Sequence, residues 1–503
     1  MPGAVQIGRV DFRLHGSPDP QRPLDIDLKG QNILAGSTDI DQVDLTLKGT
    51  LRRHNIRGTG SLKIDGKPLK AQLAADGGLN EQNQWHGSVG TLNTSGALNL
   101  SLQNPLTLEA GKERVSLSSA RWRALGGSLN LERFVWDKKS GLSAKGSADN
   151  LHFAELHNFY TPPVEHNLVL AGNWDLSYSQ SPNGYLNIKQ QGGDITLPTK
   201  RKQALNLSNF VLNTNLTAGG IRSRFSGDTR YGKAAGEFDI LQVFGGGRFI
   251  EAPIQGAVRL DAQELQTLRN LLPAGQTIRG SLKGEARISG RLNDPKFDGT
   301  ITGEDLFYRN RDVGVVLADG KLQSRLQGMR WIIDSLTFRN GGTVTLTGSA
   351  GLNEGKTDVK AKVAFDRYRL LDKPSRRLTV SGSADAGYDG SLFTLDGSLK
   401  TDEGRFGFQE SSMPELDDDV VILGEAEKPP AAAFPMNLNL VFDLNDAFRF
   451  SGSGLNVTLG GKLNISARPG SKMQAVGSVN VIKGRYKAYG QDLVIKKGVV
   501  SFV

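Results

Sequence analysis

Apolar side chains recur at every second position through much of this chain. Val43, Leu45 and Leu47 alternate with Asp44 and Thr46, and Leu98, Leu100 and Leu102 with Asn99 and Ser101. Val344 and Leu346 alternate with threonines, and Val359, Ala361, Val363 and Phe365 with lysines and Ala364. Met436, Leu438, Leu440, Phe442 and Leu444 make the longest run, followed by Leu455, Val457 and Leu459, then Leu463 and Ile465, then Val479 and Val481. Successive side chains of a strand point to opposite faces, so each segment has one apolar and one polar face. An apolar face must be covered. Helical periodicity is scarce here, which leaves several β-sandwiches or one long sheet curled strand by strand, like a solenoid.

Turn chemistry agrees. The 62 glycines of 503 residues exceed the usual share of about 7%. They do not follow a three-residue period, so a collagen helix is excluded. They fall at strand ends in a loose cadence, as in Gly280-Ser281-Leu282, Gly348-Ser349-Ala350, Gly382-Ser383-Ala384 and Gly477-Ser478-Val479. No fixed repeat length emerges, which excludes leucine-rich and ankyrin arrays. Two segments read as helices. Asp261 to Leu272 has a capping-box spacing at Asp261 and Glu264, with Leu265, Leu268 and Leu272 on one face before Pro273. Phe153 to Tyr160 is a weaker case. Both are expected to plug the sheet or cap its edge. Residues 425–435, with Pro429 and Pro430, read as a linker after an acidic turn at Glu415 to Asp419.

The expected fold is mainly β: an elongated, curled β-sheet forming a groove, with a few short helices. Its expected divisions are residues 1–260, residues 261–424 with the short helix at 261–272, the linker 425–435, and a closing β domain at 436–503. The apolar face admits two readings at this level. It is a filled core, the usual fate of such a face, or an open trough. A trough lined by Leu, Val and Ile suits acyl chains, whose exposure to water costs ~0.8 kcal/mol per methylene.

The residues of catalysis are not assembled. With no Cys, disulfide staples and thiolate metal sites are excluded. The six His show no zincin spacing; His152 and His157 lie five apart, too far for one helical face. Walker loop, Rossmann fingerprint and Gly-x-Ser-x-Gly elbow are absent. Gly245-Gly246-Gly247-Arg248 reads as a turn, and Asp417 to Asp419 lack the EF-hand spacing. The expectation is a non-enzyme without cofactor or metal. The net charge of +9 is dispersed, and without interleaved stacking aromatics no nucleic-acid partner is expected. No apolar run nears the roughly 18 residues of a membrane span, and Met1 to Gly16 has no signal-peptide core. The chain reads as a soluble segment; for work outside the cytoplasm its export signal would lie on other sequence.

The closing residues carry a more specific pattern. Gly484-Arg-Tyr486-Lys-Ala488-Tyr489-Gly490-Gln491-Asp-Leu493-Val-Ile495-Lys-Lys-Gly498-Val-Val-Ser-Phe502 resembles the end of the TamB C-terminal domain. Phe450 to Leu463, Pro414 to Val421, and the Gly290-x-Leu292-x-x-Pro295-x-x-x-Gly299 element resemble upstream parts of that family. The resemblance is specific over roughly the last half and one of texture before Leu260. It implies an elongated, twisted β-structure with a continuous apolar trough, anchored in the inner membrane by an N-terminal helix. It implies a periplasmic location and phospholipid as cargo between inner and outer membranes. The implied protein partner is an outer-membrane TamA-like barrel with POTRA domains. The alternative is a scaffold for assembling outer-membrane β-barrel proteins or secreting autotransporters. On this resemblance Val344, Leu346, Val359, Val363, Leu438, Leu440, Phe442, Leu444, Leu455, Val457, Leu459, Leu463, Ile465, Val479 and Val481 would line the lipid groove. Tyr486, Tyr489, Gly490, Gln491, Leu493 and Ile495 would bind the partner. Membrane contact would fall to segments outside this chain, whose closing domain is expected to be truncated at Phe502-Val503.

Overall fold

The computed structural model describes residues 5–17, 19–35, 38–162, 164–198, 202–243, 248–353, 356–407, 435–488 and 490–502. Strand takes 74% of the chain and helix 4%. The fold is mainly β, a curled sheet with few helices, as the alternation implies. The chain divides into two compact units, Met1–Val258 with Gly290–Asp294, and Arg259–Ser289 with Pro295–Val503.

In the first unit the strands follow an antiparallel meander. Val5–Gly16, Leu24–Ala35, Thr38–Gly49, His54–Ile64, Lys67–Leu79 and Trp85–Gly96 pair in sequence. The next two courses are broken. Leu100–Leu102 and Leu106–Ala110 both lie along Trp85–Gly96, and Arg114–Leu117 and Ala120–Ala124 both lie along Gly127–Asp137. The first break falls at Asn104-Pro105, where proline offers no N–H to a ladder. The Asn104 side chain accepts a hydrogen bond from the Arg121 N–H instead, at 2.8 Å. The meander then resumes through Gly141–His152, Val169–Tyr178, Pro182–Gly192, Ser208–Thr217, Gly220–Thr229 and Gly232–Leu241.

The second unit continues in the same style from Asp294–Asn310 through Val315–Gly328, Arg330–Arg339, Thr343–Asn353, Lys356–Lys373, Arg376–Tyr388 and Phe393–Gly407. Phe393–Gly407 then pairs in parallel with Met436–Asp443 and Phe448–Gly452, two pieces of one course. Leu455–Ala467 and Gln474–Ala488 follow antiparallel, and Gln491–Val494 with Val499–Phe502 make the last course.

Bulges bend these strands at a repeated local device. Register slips between Ala148 and Leu151, Gly303 and Leu306, and Phe365 and Tyr368. At each slip one residue turns left-handed: Asn150 at φ 54°, Asp305 at 52° and Arg367 at 49°. Asn and Asp tolerate that conformation; Arg does so at a cost, and its N–H is held by the Ser381 hydroxyl at 3.0 Å. The extra residue twists the strand and re-aims the side chain that follows. Leu151, Leu306 and Tyr368 are each buried.

Two segments depart from the sequence expectation. The segment expected as a helix from Asp261 to Leu272 is strand through Ala262, then a 3-10 helix, Leu265–Leu271, with no side-chain cap at Glu264. Strand pairing claims Asp261, and burial of Leu265 at 3% exposure fixes the short helix without a capping box. The helix expected from Phe153 to Tyr160 is the 3-10 turn Phe153–Asn158. Residues 425–434, Glu415 to Asp419 and Gly245 to Gly247 lie outside the described residues.

Candidate functional site: one apolar face across many strands

Read across the strands at fixed register, the alternating residues align into rows. In the first unit Leu14, Ile26, Leu47, Ile56, Ala75, Val89 and Leu106 are successive partners. Beside them run Phe12, Leu28, Leu45, Gly58, Leu73 and Leu92. Beyond the broken courses a row runs Leu102, Trp122, Leu129, Ala148, Gly172, Ile188, Leu212, Phe225, Gly236. One polar step interrupts a neighbouring row, where the Thr214 and Ser223 hydroxyls satisfy each other at 3.0 Å.

The second unit repeats the arrangement. Leu322, Leu336, Leu346, Val363, Ala384, Gly397, Leu440, Ile465 and Ala475 form one row. Phe338, Val344, Phe365, Gly382, Leu399, Phe442, Leu463, Gly477 and Phe502 form the next. Gly382, at φ +131°, sits where a Cβ would collide with the Ser398 carbonyl, so only glycine keeps this row closely paired.

Coverage of the face varies along each unit. Two sections are closed. Ala75, Val89, Leu102, Leu106, Ala120 and Trp122 form a buried cluster at the broken courses. In the second unit Ala262, Leu265, Leu306, Leu322, Phe338, Val344 and Tyr368 form another. There the sheet turns back on itself: Val315 bridges to Leu371, and the fully buried Tyr368 hydroxyl donates to the Val316 carbonyl at 3.1 Å and accepts from the Ala318 N–H. The 3-10 helix covers this section through Leu265 and Leu268. Elsewhere the face is half-open. Phe12 and Leu14 are 58% and 55% exposed, and Met436, Leu438, Leu440 and Phe442 are half-buried.

The residues singled out in the sequence divide accordingly. Val344 lies inside the closed section, with Val363 packed against it. Leu346, Val359, Leu438, Leu440, Phe442, Leu463 and Ile465 stand half-buried in the rows. Leu444 and Val457 are buried, and Leu455, Leu459, Val479 and Val481 are half-buried. Of the closing motif, Tyr486 pairs with Leu455 and Leu493, and the Ile495 N–H donates to the Gly484 carbonyl at 3.0 Å. Gly490, Gln491 and Leu493 are exposed, and Tyr489 lies outside the described residues. Sequence reasoning missed the bulges, although the same acid–x–apolar triplet, as in Glu304-Asp305-Leu306, marks all of the slips described above. Gly303 pairs with Leu322 just before one of them.

The polar face is laced with cross-strand ion pairs. Arg222 binds Asp239 at 2.7 Å and Arg325 binds Asp334 at 2.7 Å. Each arginine's hydrogen bond to its partner holds the carboxyl below its ordinary range. His157 and His166 approach at 3.3 Å. Burial, and then the neighbouring His157, hold the His166 imidazole below its usual value. Among the described residues no three His, Asp or Glu side chains are grouped to hold a metal ion, and no helix is long and apolar enough to cross a membrane.

Comparison with known proteins gives two family matches. Residues 3–302 match the TamB N-terminal domain and residues 334–503 the TamB C-terminal domain. The translocation and assembly module subunit TamB of Haemophilus influenzae is 21% identical over 553 residues, covering 99% of this chain and 39% of that protein. The chain thus spans well under half the length of this relative. No solved structure matches. The resemblance read at the C-terminal end therefore extends through the first half, and the chain belongs to the TamB family.

Proposed function

We propose that this chain is a periplasmic, non-enzymatic segment that shields phospholipid acyl chains on its apolar face as they pass between the inner and outer membranes. The observation that carries this reading is the continuity of the half-open rows. An ordinary core closes over its apolar residues, whereas Leu438, Leu440 and Phe442 stay half-buried in unbroken register with their neighbours. A half-buried acyl chain laid along such a row would regain about 0.8 kcal/mol per methylene removed from water. On this reading the closed sections are constrictions that open when cargo passes. The name of the Haemophilus protein supports a role in translocation and assembly.

The protein partner on this reading is a TamA-like outer-membrane barrel with POTRA domains. Tyr486, Gly490, Gln491, Leu493 and Ile495 would present the docking strand. The last course pairs with Gln474–Ala488, and strand addition is the docking mode that this reading invokes.

The test uses photo-reactive residues in the purified protein. Leu440 should crosslink to co-purified phospholipid. Asn439, whose side chain points to the polar face and donates to Asp396 at 3.2 Å, should not. Equal labelling at both positions would sink the trough.

A further inference from the structure

We infer that the polar face of the second unit carries a docking stripe for an anionic phospholipid bilayer surface, formed by Arg377, Arg405, Arg449 and Lys483. The stripe is written in the strand register. Arg377 lies directly opposite Arg405, and Arg405 directly opposite Arg449. Arg449 is opposite Thr458, which is in turn opposite Lys483. Across the antiparallel Arg377–Arg405 pair directly opposed side chains stand about 4.5–5.5 Å apart at Cβ, and like charges there destabilise a sheet; Arg405 and Arg449 are neighbours across a parallel pair.

Elsewhere most such contacts are avoided or compensated; Lys373 faces Arg376 at a hairpin end, with the Lys373 ammonium donating to the Asp312 carbonyl at 2.8 Å. Arg222 faces Asp239, Arg224 faces Glu237, and Lys400 faces Asp443. Arg133 does face Lys145, but the two bind Asp175 at 3.8 Å and Glu132 at 3.0 Å. Asp385 faces Asp396, with Lys362 opposite Asp385 on its other side. In the stripe only Arg377 has an acid partner, Asp372 at 3.4 Å. Among the described residues no ion pair or hydrogen bond engages the side chains of Arg405, Arg449 or Lys483, and all three are exposed. Among the described residues the remaining acids nearby are Glu403 along the same strand, Asp446, and Asp492, which is taken up by Arg485 and Lys487. A run of opposed cations with open valence points to an external anion.

The surroundings select which anion. Exposed aliphatic side chains flank the cations. Ile482 is 49% exposed and reaches the polar face beside Gly460. Val494, 65% exposed, is opposite Arg485. Cations interspersed with exposed aliphatics suit the boundary between phosphate headgroups and acyl chains. The stripe itself carries no stacking aromatic, so a single-stranded nucleic acid would find charge but no platform. The stripe occupies the face away from the apolar rows and does not rest on the acyl-chain reading.

Flotation of the full chain with vesicles tests it. The wild type should float with phosphatidylglycerol–phosphatidylcholine vesicles at low salt, should not float with phosphatidylcholine alone, and should dissociate as salt rises. The R405Q/R449Q/K483Q variant should partition about a hundredfold more weakly, at about fivefold per charge. A control variant with the same charge change, K67Q/K70Q/K112Q, should bind as the wild type does. Melting of the stripe variant should be unchanged or higher, because it removes opposed like charges. The proposal is overturned if the wild type ignores anionic vesicles, if both variants lose binding equally, or if the stripe variant binds fully. A lower melting point in the stripe variant also overturns it, since the cations would then be serving a partner within the fold. Crosslinking at Leu440 is unaffected by any of these outcomes, so the two readings fail separately.

Discussion

Asp389 shows how much of this fold is fastened by single side chains at turns. Its carboxylate accepts hydrogen bonds from the Leu392 and Ser391 N–H groups at 2.8 and 2.9 Å and from the Ser391 hydroxyl at 2.7 Å. These bonds, that from Leu392 foremost, pull its pKa from 3.8 down to about 2. Hydrogen bonding to the charged form favours it. The folded state therefore gains from Asp389 fully above the ordinary carboxylate value, and the gain is lost as pH falls through about 2. A carboxyl NMR titration should place the midpoint near 2; a midpoint at 3.8 would contradict the geometry. Tyr368 plays the same part inside the closed section. Replacing it with Phe leaves the Val316 carbonyl and the Ala318 N–H without their partner, and should cost about 1–3 kcal/mol in chemical denaturation. Neither role is visible in the sequence, where Asp389 is one turn acid among many and Tyr368 interrupts the aliphatic alternation. What sets them apart is the backbone that happens to face them.

At the scale of elements, strands and their apolar faces were legible because a period of two has one geometric consequence. The runs from Val43, Val344, Val359, Met436, Leu455 and Leu463 are all strands with the expected faces. The breaks were not legible. At Asn104-Pro105 the strand breaks and the chain continues along the same neighbour, with the Asn104 side chain replacing a ladder bond. The capping-box signal at Asp261 failed because strand pairing reaches Ala262 and leaves room for only a 3-10 turn. That turn matters through Leu265. Leu265→Ala should cost about 2–5 kcal/mol in thermal or chemical unfolding. It should also uncover Val344, so that a photo-reactive group at position 344 labels lipid more heavily in the variant than in the parent. Gly382→Ala should weaken the Arg376–Tyr388 and Phe393–Gly407 pair through collision at Ser398, with faster amide exchange in those strands as the readout.

For the molecule as a whole, the faces divide the work. The apolar side runs as continuous rows within each unit and is pinched at two clusters. The polar side is held mostly by complementary cross-strand charges. Such exposed pairs contribute little individually; the run at Arg377, Arg405 and Arg449 departs from this pattern, with an acid partner only at Arg377. A single charge placed in a half-open row, as in Leu440→Glu, should reduce co-purified phospholipid measured by native mass spectrometry. Asn439→Glu on the polar side should leave it unchanged.

The alternation by itself determined that this chain is built of one-sided β-strands and which residues of each share its apolar side, because side-chain direction along a strand depends only on parity. The closing motif pointed to the family, and the family matches cover most of the chain. Whether the apolar side is filled or open was decided only by tertiary structure. Parity says which way a residue points, but coverage depends on what lies across from it. In this fold that is set by left-handed bulges, broken courses and one buried 3-10 turn, whose effects arise from contacts between residues far apart in sequence.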